Sequence, residues 1–189
     1  MNSKRLKIEP IHKIGIVDAR DFGAKGSQLR HLANLGLPVP NGFLMGSDIA
    51  REAITHGKFK ISKNLRNLKG LYALRASPTD RDWGSVDAIL NLGLSDFSLE
   101  EIGIRIGRRE ALELYRRFIN NFGVSVFGLE PDLFEEDQDT STSFLKLEND
   151  QLPEESTLVS IVERSKSIFK QESGIDFPQL LTQQLDYAF

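Results

Sequence analysis

The hydrophobic pattern of this chain changes at about Leu94, and this change most restricts the folds open to it. Before that point, short apolar runs alternate with glycine and proline, which is typical of short strands joined by turns. After it, apolar residues recur at helical spacing and no further segment has a strand pattern. We therefore expect an α+β protein, in which an α/β lobe with a small sheet (residues 1–95) is followed by a helical subdomain (residues 96–189).

In the first half, apolar residues at helical spacing predict a helix of about ten residues that ends at Gly36, since Pro38 prevents its continuation. Residues 42–45 and 70–74 are typical of short strands. A second helix is predicted over residues 47–54.

In the second half, four helices are predicted. The first begins at Ser98, which forms a capping-box pattern with the glutamates that follow it. The second covers residues 110–122 and is stopped by Gly123. The third begins at Pro153 and ends at Gly174, and the fourth covers residues 178–189.

Composition excludes several classes of chemistry. Cysteine is absent, so there is no disulfide, thiolate zinc site or cysteine nucleophile, and the three histidines are too scattered to form a His-rich metal site. No apolar run approaches the roughly 20 residues that span a bilayer, and the N-terminus lacks the apolar core of a signal peptide. We expect a cytoplasmic protein without a membrane partner.

Charge is distributed unevenly along the chain. The formal net charge of the chain is −3. Residues 130–155 contain ten carboxylates and one lysine, so the rest of the chain carries a net charge of +6. An acidic segment of this size does not suit a nucleic-acid-binding surface, and anionic small molecules fit the basic remainder better. Residues 130–155 are interpreted as a solvated loop in preference to a metal site.

The first candidate site is the stretch Asp-Phe-Gly-Ala-Lys-Gly-Ser-Gln-Leu at residues 21–29. Gly23 and Gly26 would let the backbone approach an oxyanion, a helix N-terminus would supply N–H groups, and Lys25 would add a positive charge. This pattern indicates a phosphate site, although it lacks the spacing of a Walker A loop. The alternative is an exposed lysine in a turn.

The second candidate is Arg75, which leaves the strand predicted over residues 70–74 and enters a polar loop. Its guanidinium offers a rigid fork of donors suited to phosphate oxygens. The alternative is a surface salt bridge to Asp80 or Asp82, which would contribute about 0–1 kcal/mol.

The third candidate is the pair Arg116 and Arg117 on an amphipathic helix. Because neighbours on a helix point about 100° apart, at most one of them is expected to face a given pocket, while the other faces water or a carboxylate. The sequence does not distinguish between the two.

Taken together, these segments resemble a known family. Residues 23–29, followed by Asn-Leu-Gly-Leu-Pro-Val-Pro-Asn-Gly-Phe at 34–43, resemble the opening of the ATP-binding domain of pyruvate phosphate dikinase and, more distantly, of phosphoenolpyruvate synthase. Further matches follow in the same order, so that the resemblance covers residues 16–189. They are Leu-Arg-Ala at 74–76, Asp-Ala-Ile-Leu-Asn-Leu-Gly-Leu at 87–94, Tyr-Arg-Arg-Phe at 115–118, and Phe-Pro at 177–178 with Gln184 and Leu185.

The resemblance implies an ATP-grasp-like nucleotide site that binds ATP with Mg²⁺. In it, Lys25, Arg75 and one of Arg116 and Arg117 would neutralise triphosphate oxygens. In the family this domain phosphorylates a histidine on a separate domain. The family's nucleotide-binding unit also extends past the position matched by Phe189 and supplies its magnesium ligands there, so a truncated domain with a half-open cleft is expected.

Local departures from the family pattern are expected to weaken the affinity for triphosphate. Pro78 removes a backbone donor from the loop after Arg75, and Asp80 and Asp82 add negative charge there. The partners expected are a nucleotide, a missing second lobe or phosphohistidine domain, and a second copy of the chain, since a truncated lobe would leave apolar surface uncovered. The alternative function is a non-catalytic interaction module that retains the dikinase fold.

Overall fold

The computed structural model describes residues 8–49, 55, 65, 68–78, 88–134 and 153–188. They form helices and two small antiparallel sheets of two strands each, as expected for an α+β protein. The chain divides into two compact units that are discontinuous in sequence. The first comprises Met1–Lys60, Arg75–Ala88 and Phe189, and the second comprises Ile61–Leu74 and Ile89–Ala188. A single boundary at residue 95 stays a prediction.

The described residues of the first unit include a pair of strands and a long helix. Strand β1 (Ile8–Pro10) pairs with β2 (Phe43–Met45), with Ile8 opposite Met45, and helix α1 (Ala19–Asn34) lies between them in sequence. The predicted strand at 42–45 is therefore confirmed as β2. The helix predicted before Gly36 is also confirmed, but α1 begins earlier than expected and contains a kink. Strand β1 was not predicted because it has three residues and ends in proline.

Three buried apolar side chains form a cluster in the described part of the first unit. Ile11, Phe22 and Leu44 are buried together, where α1 packs on β2. Arg30 is also buried here, with 2% of its surface exposed, and its Nη2 donates to the carbonyl of Pro10 at 2.7 Å. This bond ties α1 to β1.

The described residues of the second unit include an antiparallel pair of strands and four helices of eight residues or more. Strand β3 (Tyr72–Leu74), within the predicted 70–74, pairs antiparallel with β4 (Ile89–Leu92), which was not predicted as a strand. The helices are α2 (Leu99–Ile106), α3 (Arg108–Phe127), α4 (Glu155–Ser173) and α5 (Leu181–Ala188), with a 3₁₀ turn at Pro131–Phe134.

Aromatic side chains fill the core of the second unit. Phe122 on α3 lies between other rings, with centroid distances of 5.6 Å to Phe118 and 5.7 Å to Phe177. Phe169 on α4 lies 5.2 Å from Phe177, and Phe127 lies 4.9 Å from Phe169. These contacts hold α3 and α4 side by side.

The end of α3 corrects one prediction. Gly123 does not stop the helix but lies buried within it, and α3 ends at Gly128 in the left-handed conformation (φ 68°). A Cβ at Gly123 would lie 3.0 Å from Cζ of Phe134 and 3.2 Å from Cδ1 of Leu129. This glycine is therefore needed for close packing, whereas the positive φ that ends the helix falls at Gly128.

The start of α2 corrects the prediction that Ser98 forms a capping box. The helix begins where Ser98 predicted, but Ser98 makes no side-chain capping bond to it. Its hydroxyl accepts a hydrogen bond from the backbone N–H of Ser95 at 2.9 Å and lies 3.1 Å from the carbonyl of Gly93. The residue stabilises the turn that precedes the helix.

The remaining expectations for these units differ in outcome. The helix predicted from Pro153 is confirmed as α4, whose end at Gly174 has the expected left-handed conformation (φ 77°). Of the predicted 47–54 helix, residues 47–49 are helical and 50–54 lie outside the described residues, as does most of the acidic segment (135–152). Within the described part of the chain, no helix is long and apolar enough to cross a bilayer.

Candidate anion-binding site

The glycine-flanked lysine lies at a break within α1. Asp18 caps the helix, because its Oδ1 accepts a hydrogen bond from the backbone N–H of Arg20 at 2.8 Å. The helix is then interrupted at Gly23, where φ is 72° and ψ is 171°. A helical stretch resumes after Gly23, so Lys25 lies in the first turn after the break, as the sequence predicted.

The segment that follows Arg75 packs directly on this break. The N–H of Ala24 donates to the carbonyl of Pro78 at 3.0 Å, and the N–H of Gly26 donates to Oγ of Ser77 at 3.0 Å. A Cβ at Gly23 would lie 1.6 Å from the carbonyl oxygen of Ser77, a separation that no real side chain allows. Only glycine at residue 23 permits this contact.

These hydrogen bonds change the expected role of the glycines. The sequence suggested that the N–H groups around Gly23 and Gly26 would bind phosphate, yet the N–H groups of Ala24 and Gly26 already have protein acceptors. Pro78, which was expected only to remove a donor, supplies one of these acceptors. The glycines therefore bring two distant segments of the chain together.

Lys25 and Arg75 lie on the two segments that meet here. Arg75 precedes Pro78 by three residues, a stretch of chain that spans at most about 11 Å. Both side chains are exposed, and neither makes an ion pair or hydrogen bond with the described residues. The alternative pairing of Arg75 with Asp80 or Asp82 involves positions outside the described residues. Among the described residues of the first unit, this contact places two exposed cations on adjoining segments.

Arg116 and Arg117 lie on α3 in the second unit, and both bind the same carboxylate. Arg116 Nε and Nη2 each lie 2.8 Å from an oxygen of Glu113, and Arg117 Nε lies 2.6 Å from Oε1. Both arginines reach Glu113 because residues three and four positions after it lie beside it on the helix surface. The expectation that at most one of them faces a given pocket stays a prediction.

Glu113 is largely buried, and its charge is stabilised by these arginines. Burial alone would raise the pKa of its carboxyl, but the hydrogen bonds from Arg116 and Arg117 outweigh burial and hold the pKa below its ordinary value of 4.5. The side chain of Arg116 is itself only 26% exposed, whereas that of Arg117 is 70% exposed. Arg117 is thus the more accessible of the two cations.

Two residues of these arrangements were not identified from the sequence. Glu113 precedes both arginines at helical spacing, and this signal could have identified it. Ser77 gave no such signal, because its partner, Gly26, lies 51 positions earlier in the chain.

Potential metal-ligating side chains do not gather into a cluster within the described residues. Across these ranges, no three histidine, aspartate or glutamate side chains lie close enough together to hold a metal ion.

No protein-family model matches the chain. The chain is similar to pyruvate, phosphate dikinases, and the resemblance predicted from its motifs is confirmed. It is 28% identical over 187 residues to the chloroplastic pyruvate, phosphate dikinase of Mesembryanthemum crystallinum, covering 88% of this chain and 20% of that protein. It is 29% identical to pyruvate, phosphate dikinase 2 of Oryza sativa (87% and 21%) and 29% identical to the pyruvate, phosphate dikinase of Rhizobium meliloti (87% and 21%). The chain spans about a fifth of the length of these relatives. A more distant relation to phosphoenolpyruvate synthase stays a prediction.

Proposed function

We propose that this chain is the ATP-binding portion of a phosphotransferase similar to pyruvate, phosphate dikinase, with a partial ATP-grasp-like lobe. The proposal rests on the similarity to those enzymes over most of the chain. In it, Lys25 and Arg75 bind the phosphates of the nucleotide, and the second lobe and a phosphohistidine domain act as partners.

The observation that carries the proposal is the contact between the break at Gly23 and the segment Ser77–Pro78. This contact holds two exposed cations on neighbouring pieces of backbone, and their motifs are those that resemble the dikinase nucleotide site. One of Arg116 and Arg117 stays a predicted phosphate ligand, although pairing with Glu113 already neutralises part of their charge.

The expected affinity is low. An exposed ion pair contributes about 1 kcal/mol in water, so two cations do not by themselves produce tight binding. A dissociation constant near 1 mM, which corresponds to about −4 kcal/mol, is the expected scale. The role proposed for this chain is to bind and orient the nucleotide. Mg²⁺, when bound with ATP, would neutralise charge that develops during transfer.

Calorimetric titration of the 189-residue chain with MgATP tests this function. We expect binding that is weakened by Lys25→Ala and by Arg75→Ala and that is weaker for AMP, which has fewer phosphate charges. Arg105→Ala is the matched control, because Arg105 is an exposed arginine in the second unit. Binding that is equally sensitive to Arg105→Ala would show a general charge effect and contradict the proposed site.

One observation favours a second function, a non-catalytic interaction module. The backbone N–H groups on either side of Lys25 donate to Ser77 and to Pro78. These two groups therefore stabilise the packing of the chain and are not available to a phosphate. In that case the folded chain produces no heat with MgATP. The same titration, with folding verified by circular dichroism, therefore separates the two functions.

A further inference from the structure

One carboxylate on α3 holds two arginines in a defined arrangement. Oε1 of Glu113 accepts hydrogen bonds from both Arg116 and Arg117, and Oε2 accepts one from Nε of Arg116. Only 13% of the Glu113 side chain is exposed. Hydrogen bonds between charged groups are the stronger ones, so three of them leave this carboxylate little freedom to move.

The two arginines use different edges of the guanidinium group. Arg116 donates through Nε and Nη2, both at 2.8 Å, so its side edge is occupied by Glu113. Arg117 donates through Nε alone, at 2.6 Å, and its Nη1 and Nη2 donate to none of the described residues. The pair of terminal nitrogens of Arg117 is therefore available, and such a pair matches two oxygens of a phosphate group.

The next polar residue on this side of α3 shows what sets the direction of the arginines. Oδ1 of Asn120, about one helical turn after them, is buried and accepts no hydrogen bond from the described residues. Side chains on a helix point towards its N-terminus, so both arginines extend back to Glu113 and away from Asn120. Glu113 therefore determines where both guanidinium groups lie.

Holding Arg117 in place favours binding. An exposed arginine side chain ordinarily samples many rotamers, and ordering it when a ligand binds costs affinity. Because Nε of Arg117 is already bound, a ligand that contacts its terminal nitrogens has less to order. Burial raises the pKa of Glu113, but the hydrogen bonds from the arginines hold that pKa below 4.5, so the carboxylate is charged at neutral pH. Two arginines and one carboxylate still carry a net positive charge.

We propose that Glu113 is a positioning residue, which holds Arg117 with its two terminal nitrogens free for a phosphate of the nucleotide. Arg116 serves to hold Glu113. This inference rests on the function proposed above and assigns to Arg117 the phosphate contact that the sequence left open between the two arginines. Glu113 itself does not touch the nucleotide.

Calorimetric titration of the full chain with MgATP tests this role through a double-mutant cycle. Glu113→Asp keeps the charge but shortens the side chain by one methylene, so it should lower the affinity by about threefold. Arg117→Ala should lower it by about tenfold. The double variant should bind no more weakly than Arg117→Ala, because no side chain is left to position. Glu101→Asp is the matched control, since Glu101 binds Arg105 at the same four-residue spacing but is exposed.

Glu113→Gln separates positioning from a simple effect of charge. It keeps the length of the side chain but offers one acceptor oxygen in place of two, so it should also weaken binding. If Glu113 acted only by reducing the local positive charge, Glu113→Gln would bind MgATP more tightly than the wild type and Glu113→Asp would bind equally well. Circular dichroism verifies that each variant folds.

The results that overturn the positioning role differ from those that overturn the proposed function. The role is overturned if Glu113→Gln binds as tightly as the wild type or more tightly. It is also overturned if Glu113→Asp weakens binding as much in the Arg117→Ala variant as in the wild type. In both cases the function stands, provided that Lys25→Ala and Arg75→Ala still weaken binding. A wild-type chain that binds no MgATP overturns the function and the positioning role with it.

Discussion

The two units of this protein are stabilised by different means. In the second unit, aromatic rings from α3, α4 and the segment before α5 form a continuous buried cluster. In the described part of the first unit, Phe22 is the only buried aromatic residue, and it packs with Ile11 and Leu44. Contacts with backbone atoms also hold the described part of the first unit together. The backbone of Gly23 lies close to that of Ser77, and the side chain of Arg30 donates to the carbonyl of Pro10.

This difference has a consequence for function. When a large core side chain is truncated, the free energy of unfolding falls with the volume that is removed. A contact between two backbone segments buries few atoms, so its loss removes less packed volume. The first unit carries Lys25 and Arg75, and the unit with the aromatic core carries Arg116 and Arg117 with their shared partner Glu113. We therefore expect stability to be most sensitive in the second unit and nucleotide binding most sensitive in the first.

The largest effect is expected in the aromatic core. Phe122→Ala should lower the free energy of unfolding by about 3–5 kcal/mol, because it leaves a cavity among packed rings. Urea unfolding followed by circular dichroism measures this change. Phe97→Ala is the matched control, since Phe97 is mostly exposed, and it should alter stability by less than about 0.5 kcal/mol. Similar losses in both variants would contradict the description of this core.

A smaller effect is expected at the backbone contact of the first unit. Gly23→Ala should cost about 2–4 kcal/mol, from the positive φ and from the overlap with the carbonyl of Ser77. It should also speed hydrogen exchange of the Gly26 amide, which loses its bond to Ser77.

Gly36→Ala separates the two causes. Gly36 has a similar φ of 75°, but no atom lies within 4 Å of a Cβ there. This variant should cost only about 1–2 kcal/mol and leave exchange at Gly26 unchanged. Equal costs for the two variants would show that the contact with Ser77 does not stabilise the unit.

The smallest effect is expected from the ion pairs on α3. Since the folded-state pKa of Glu113 is below 4.5, its contribution to stability is present above that pH and is lost as the pH falls through the folded pKa. Glu113→Gln should therefore lose less stability than the wild type on acidification below pH 4.5. Thermal unfolding between neutral and acidic pH measures the difference, and Glu101→Gln, which removes an exposed carboxylate, is the control. Parallel curves for Glu113→Gln and the wild type would contradict this linkage.

Local signals in the sequence predicted the end of a helix correctly where a single residue determines it. The ends of α1 at Gly36 and of α4 at Gly174 were predicted because a glycine with positive φ ends a helix. The same reasoning was wrong at Gly123, where glycine serves packing against Phe134. A sequence shows that a glycine is present. It does not show whether that glycine is needed for a positive φ at a helix end or for the close packing of a neighbouring side chain.

Strands were predicted less completely than helices. Strands β1 and β4 have three and four residues, which is too short for a periodic pattern to be distinguished from a loop. Each is defined by hydrogen bonds to a strand that is distant in sequence. The predicted site shows the same limit, because Lys25 and Arg75 were chosen by residue type, while the contact of Gly26 with Ser77 could not be foreseen.

The sequence by itself determined the α+β class, the helical second half, and the similarity to pyruvate, phosphate dikinases. These depend on residue types at short spacing and on the order of motifs, both of which can be read along one chain. The tertiary structure alone decided that Ser77 and Pro78 pack on the break at Gly23 and that one glutamate binds both arginines of α3. Each of these depends on which atoms meet in space, and backbone and side-chain packing over long separations decides that.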